Sequence, residues 1–186
     1  MSGSLNALGA VHSASKSSMM RWWLALNDRL DLDLTNSDID HDTSDDWYTP
    51  PFIFQALGLQ FALDVSAPPI GVPWIPARRS LSLIDDGLAT DWTGKVWMNP
   101  PYSNPLPWID KFIVHGDGVA LVPTSTGLWM LKFWDSKAAW LMLPPIKFVR
   151  SNLVQAKGFM PIRCWLIAIG TENIAALESS GLGRVR

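Results

Sequence analysis

A short apolar run, Lys95–Met98, leads directly into Asn99-Pro100-Pro101-Tyr102. This junction restricts the fold more than any other feature of the chain. Neither proline carries an N–H, so a strand ending here can continue neither as a ladder nor as a helix. Asn99 precedes a proline and is held extended. The expected result is a strand that stops abruptly at the edge of a sheet, with the Asn99 side chain and the Pro100 carbonyl left as acceptors and Tyr102 as a flat plate. In open α/β sheets the carboxyl edge is where ligands bind. The plain alternative is a Pro-Pro turn with a packed tyrosine.

The rest of the chain supplies the sheet. Phe61–Val65, Val119–Val122, Ala139–Leu143, Ile146–Val149 and Cys164–Ile169 read as further buried strands. Between them lie helical signals. Thr49-Pro50 reads as a helix start, with the Thr49 hydroxyl as N-cap, Phe52–Leu57 as the helix and Gly58 as its stop. Asn104-Pro105 opens a helix carrying Trp108, Ile109, Phe112 and Ile113 and stopped by Gly116. Gly127–Trp134 reads as helical, and Thr171 caps a last helix ending near Gly181. Ala67–Ser80 is rich in Pro and Gly and reads as loop. Strands alternating with short helices give an α/β fold. The runs on either side of Ser151–Pro161 are expected to form a closing antiparallel hairpin on a mostly parallel sheet.

With 186 residues the chain has room for one domain and an arm. Residues 1–46 read as that arm: a Ser/Gly/Ala-rich start, an apolar stripe within Met19–Leu34, and an acidic stretch. Asp38, Asp40 and Asp42 echo a calcium loop, but Thr43 and Thr49 replace its glycine and glutamate, so a solvated acidic loop is expected. Residues 47–186 would form the domain. The single cysteine, Cys164, excludes an internal disulfide framework and a Cys-rich zinc site; it sits in an apolar strand and reads as inert. No apolar run approaches the ~20 residues of a membrane span, and no signal segment is visible, so a cytoplasmic protein is expected.

Charge is unevenly spread. Residues 1–92 carry five Lys/Arg against twelve Asp, whereas residues 93–186 carry ten against five acids. A basic half is compatible with a polyanion. Arg78, Arg79, Lys147, Arg150, Lys157 and Arg163 are candidate phosphate contacts or ordinary surface charges. Trp74, Trp129 and Trp134 could stack on bases, though packing at a core rim is the commoner use of tryptophan. His12, His41 and His115 show no metal spacing.

Two acceptors beside an aromatic plate suit a planar group bearing an exocyclic amine. Its lone pair is delocalised into the ring, so acceptors on both hydrogens favour a more tetrahedral nitrogen and aim that lone pair at an electrophile. A methyl sulfonium would be such an electrophile, and catalysis would rest on positioning and electrostatics.

From Asp46 to Gly170 the chain resembles the phage-type DNA N-6-adenine methyltransferases, the phage Dam family. The resemblance rests on Asp46-Trp47-Tyr48-Thr49-Pro50-Pro51, Phe61-Ala62-Leu63-Asp64-Val65-Ser66-Ala67, Asp85-Asp86-Gly87-Leu88, Asp91-Trp92, Val96 through Ser103, Trp108 and Leu121-Val122-Pro123, in that order. It implies a compact, reduced, Rossmann-like methyltransferase using S-adenosylmethionine on double-stranded DNA. Trp47, Thr49, Pro50, Asp64, Ser66, Ala67 and Asp86 would lie at the cofactor, with Asp85 as the alternative to Asp86. For Asp64 a loop-tying carboxylate, and for Asp85 and Asp86 a plain acidic turn, are the competing roles. Asn99, Pro100, Pro101 and Tyr102 would hold an adenine swung out of the duplex. Arg78, Arg79, Lys147 and Arg150 would meet DNA. Only 35 positions separate Asp64 from Asn99, short for two intervening strands. The same motif also serves enzymes acting on cytosine N4, RNA adenine or a protein glutamine amide, and a non-catalytic DNA-binding remnant is the rival from another class.

Overall fold

The computed structural model describes residues 45, 47–125, 127–151, 153–158 and 163–186. The arm expected over residues 1–46, with its acidic loop and its helix within Met19–Leu34, lies outside them apart from Asp45. The fold described is that of the unit His41–Arg186.

Among the described residues ten elements follow one another: α1 (Pro51–Leu57), β1 (Phe61–Asp64), β2 (Ala77–Ser80), β3 (Val96–Met98), α2 (Leu106–His115), β4 (Gly118–Pro123), α3 (Trp129–Trp134), β5 (Ala139–Met142), β6 (Cys164–Ile169) and α4 (Thr171–Ser179). They build one six-stranded sheet in the order β2-β1-β3-β4-β6-β5. The first four strands of that order are parallel. Strand β6 runs antiparallel between β4 and β5, with Val122 opposite Trp165 and Met142 opposite the same tryptophan. This is the expected mostly parallel, Rossmann-like α/β sheet of reduced size.

Both faces of the sheet are covered, which explains the unbroken apolar runs of the inner strands. On one face Phe61, Trp97, Val119, Leu121, Leu166 and Ala168 pack with Ile53 and Leu57 of α1 and Leu177 of α4. On the other, Leu63, Val96, Met98, Ala120 and Ile167 pack with Ile109 and Phe112 of α2 and Phe133 of α3. Gly58 and Gly116 end α1 and α2 in the left-handed conformation, each returning its N–H to the last turn.

Four local expectations are corrected. The segment Ala67–Ser80 is not all loop: its last four residues form the edge strand β2, paired to β1. Its Ala-Arg-Arg-Ser sequence hides it, because an exposed edge needs charge rather than an apolar pattern. Ile146–Val149 is not a strand of the sheet. Val149 makes isolated bridges to Tyr48 and Gln155, and the antiparallel partner of β6 is β5. The Thr49 hydroxyl does not cap α1; the cap position is Pro50, with no side-chain bond, and Pro51 opens the helix. Likewise Thr171 lies inside α4, whose cap position is Gly170. Between β1 and β3 there is one strand, β2, which accounts for the short spacing from Asp64 to Asn99. Among the described residues no helix is long and apolar enough to cross a membrane.

Candidate active site

The strand order reverses between β1 and β3, since the chain moves outward from β1 to β2 and then returns to β3. At such a switch point the loops leaving the two strands diverge and open a crevice. The residues there are Asp64, Ser66 and Ala67 after β1, and Asn99 to Tyr102 after β3.

Asn99 is tied on three sides. Its backbone N–H donates to Ser66 Oγ at 3.2 Å, and the Ser66 hydroxyl donates back to the Asn99 carbonyl at 2.9 Å. Its side-chain Nδ2 donates to the Trp47 carbonyl at 3.1 Å. That last bond assigns the amide orientation, because a carbonyl can only meet the NH2 end. Asn99 Oδ1 is thereby aimed elsewhere. It is buried and has no partner among the described residues. No hydrogen bond among the described residues occupies the Pro100 carbonyl either. Pro100 itself is buried, and Pro101 accepts the N–H of Asn104 in the turn that follows.

Tyr102 is half-buried, edge-on to Phe148 with ring centroids 6.5 Å apart. Its hydroxyl lies 3.6 Å from Cys164 Sγ. Burial pushes the phenol well above its usual range, with the thiol beside it adding to the effect. The loop is held from its far side by Asp45, whose carboxylate accepts both the N–H and the hydroxyl of Ser103.

Four further buried side-chain polar atoms face no partner among the described residues: Trp47 Nε1, Thr49 Oγ1, Trp97 Nε1 and Asn173 Oδ1. Buried polar atoms are almost always paired in native proteins. Of these five atoms, counting Asn99 Oδ1, three lie on the segment before α1 and the loop after β3, while Trp97 lies within β3 and Asn173 on α4. Trp74 Nε1 donates to the Thr49 carbonyl at 2.8 Å and fixes that segment. Asp64 is only 2% exposed. Burial raises its carboxyl to about 7, partly opposed by the Ser66 N–H that donates to Oδ1 at 3.4 Å. No basic side chain is paired with it among the described residues.

The family model for DNA N-6-adenine-methyltransferase (Dam) matches residues 36–155, well over half of the chain. The chain belongs to the Dam family. It is 31% identical over 98 residues to the DNA N-6-adenine-methyltransferase of Haemophilus phage HP1 (strain HP1c1), an overlap of 48% of this chain and 55% of that protein. The chain thus spans about half the length of this curated relative. No solved structure matches it.

In this Dam-family chain the loop carrying Asp85 and Asp86 is strongly built. Asp85 Oδ2 accepts the N–H and hydroxyl of Ser82, both at 2.9 Å, and these bonds hold its carboxyl below the usual range. Asp86, at φ 47°, accepts the N–H groups of Leu88 and Ala89 on Oδ1. Both carboxylates therefore serve their own turn. Lys111 from α2 donates to the carbonyls of Gly87, Leu88 and Thr90 and sits 4.8 Å above the Trp92 ring. Gly87 packs against the Val65 carbonyl, where a Cβ would come within 2.1 Å.

The four expected DNA-contacting residues fall in two places. Lys147 and Arg150 stand on the β5–β6 connection. The Tyr48–Val149 bridge, with N···O distances of 2.7 and 3.0 Å, ties that connection to the segment carrying Trp47 and Thr49. Arg78 and Arg79 lie on β2 at the outer edge of the sheet, exposed, with Arg79 3.9 Å from Asp85. Of the three tryptophans, Trp74 serves Thr49, Trp129 packs edge-on to Phe133, and Trp134 is 76% exposed beside Trp140.

Sequence reasoning missed three connections. Ser66 bonds the main chain of Asn99, although the resemblance assigned it to the cofactor. Asp45 clamps Ser103. Cys164, read as inert, meets Tyr102. Asp45 had a signal, standing next to the Asp46-Trp47 motif. The other two pairs are separated by 33 and 62 positions, and no local pattern links them.

Proposed function

We propose that the chain transfers a methyl group from S-adenosylmethionine to N6 of an adenine in double-stranded DNA, with the adenine extruded from the helix. Membership of the Dam family supports adenine methylation. The observation that carries the chemistry is Asn99 Oδ1, without a partner among the described residues, while Nδ2 donates to the Trp47 carbonyl, so that only the acceptor end of the amide is on offer.

An N6 amine has two hydrogens and a lone pair conjugated with the purine. Asn99 Oδ1 accepts one hydrogen and the Pro100 carbonyl the other. Holding both out of the ring plane weakens conjugation and returns electron density to nitrogen. As nitrogen forms its new bond it becomes positive, and hydrogen bonds to a charged donor strengthen to about 1.5–3 kcal/mol each. The oxygens therefore bind the transition state more tightly than the ground state. Tyr102 supplies stacking, worth about 1–3 kcal/mol per base, against an unstacking cost of a few kcal/mol.

The residues around the crevice fit S-adenosylmethionine. When bound, that cofactor supplies a methyl group on a positively charged sulfur. Asp64 is a buried carboxyl with no cationic partner among the described residues, and it suits the ammonium or sulfonium charge. Trp47 Nε1 and Thr49 Oγ1 are donors with no partner among the described residues, and they suit a carboxylate. Ser66 acts through Asn99, because its hydroxyl is committed to that main chain, while Ala67 lines the same turn. Asp86 contributes by shaping the loop.

The test is mass spectrometry of nucleosides from duplex DNA incubated with the chain and S-adenosylmethionine. N6-methyladenine is the expected product. Methyl groups found only on cytosine, RNA or protein would overturn the acceptor assignment, and absence of cofactor binding at millimolar concentration would favour the non-catalytic remnant.

A further inference from the structure

Tyr102 follows Pro101 on a turn rather than on a strand, so nothing in its own backbone fixes its ring. What fixes it comes from elsewhere. Phe148 meets it edge-on from the β5–β6 connection, and Cys164 meets its hydroxyl from the first residue of β6. The Cys164 end is the rigid one. Cys164 lies in register with Pro123 of β4, its carbonyl accepts the Leu143 N–H at 2.9 Å, and its side chain is 1% exposed. Among the described residues the thiol is the only polar partner of the phenol.

We infer that Cys164 is a positioning residue for the acceptor site: its sulfur anchors the Tyr102 hydroxyl and thereby sets the angle of the ring offered to the extruded base. The inference rests on the proposed reading of Tyr102 as the plate for that base. Burial keeps both groups protonated at neutral pH, with the thiol raised to about 11, so the contact is one between neutral groups in which either can donate. Cys164→Ala deletes the sulfur and takes from the phenol its only hydrogen-bond partner among the described residues. A buried hydroxyl without a partner is unfavourable, so the ring must tilt until its oxygen reaches water. A tilted ring no longer lies parallel to an incoming base. Sulfur also suits the task better than oxygen. The contact is long and soft, and it can give slightly as a base slides over the ring without being lost.

The test uses the full chain on a duplex with 2-aminopurine at the methylated position, at a temperature where every variant is folded. Cys164→Ala and Tyr102→Phe should each reduce the fluorescence rise on binding and lower kcat by about five- to tenfold, with KM for S-adenosylmethionine unchanged. Cys164→Ser should recover most of both, because it restores a partner. The double variant should be no worse than either single one, since both remove the same contact. Full signal in Cys164→Ala alongside a lost signal in Tyr102→Ala overturns the inference and spares the reading of Tyr102. Unchanged signal in Tyr102→Ala overturns that reading and the inference with it. Should Cys164→Ala fail to fold, Tyr102→Phe decides alone: a full signal with the hydroxyl gone contradicts the anchor.

Discussion

Ser66 Oγ stands 2.9 Å from the carbonyl oxygen and 3.2 Å from the amide nitrogen of Asn99, closing a ring of hydrogen bonds between the loop after β1 and the loop after β3. One hydroxyl joins the two sides of the crevice. On the proposed reading, one side holds the methyl donor and the other its acceptor. Ser66→Ala removes both bonds and leaves two backbone groups unmatched, at about 1–3 kcal/mol. Turnover should fall about 10- to 100-fold with the chain folded. Steady-state kinetics beside a thermal melt check this; undiminished kcat in a folded Ser66→Ala protein would show that the ring has no part in positioning Asn99.

Asn99→Asp separates the acceptor role from the amide. A carboxylate still offers oxygen to the amine, but it cannot donate to the Trp47 carbonyl. Residual methylation in Asn99→Asp, well above that of Asn99→Leu, is expected. Equal loss in both variants would mean that the donor end of the amide matters as much as Oδ1.

Asp64 gives a pH dependence with a defined sign. Its carboxyl titrates near 7 in the fold and near 3.8 in the unfolded chain. Between those values the folded state holds a proton that the unfolded state has lost. Its contribution therefore makes stability fall as pH rises from about 4 to 7 and level off above, by ~4 kcal/mol at most. Asp64→Asn should flatten that slope in melts taken across the range. A cation placed against Asp64 favours its ionised form, so S-adenosylmethionine binding near pH 6 should release a proton. Calorimetry in buffers of different ionisation enthalpy reads that release directly, and binding without it would separate Asp64 from the charged part of the cofactor.

Gly87→Ala should destabilise the fold by about 2–4 kcal/mol or displace its loop, because the new Cβ meets the Val65 carbonyl at 2.1 Å and the Trp108 ring at 2.9 Å. Denaturant unfolding measures it. A change under 0.5 kcal/mol would show that the loop yields freely, despite the three bonds from Lys111.

Strands β1, β3, β4 and β6 were legible because burial on both faces leaves an unbroken apolar run. Strand β2 was not, since Arg78 and Arg79 sit on an exposed edge where pattern carries no signal. The partner of β6 was misassigned for a related reason: Ile146 and Phe148 are apolar because they fill the core beneath the sheet, not because they pair. In the site, Asn99 announced itself through the two prolines after it. The bonds that aim it come from Trp47 and Ser66, and side-chain to main-chain links between distant loops leave no periodicity to read.

The central claim is that Asn99 Oδ1 holds the amine that is methylated. Single-turnover formation of N6-methyladenine in duplex DNA by Asn99→Ala, beside the unaltered chain, tests it most directly. The rate should fall by about a thousandfold or more, with the melting temperature and S-adenosylmethionine binding nearly unchanged. A folded Asn99→Ala protein methylating adenine within about tenfold of the normal rate would contradict the account.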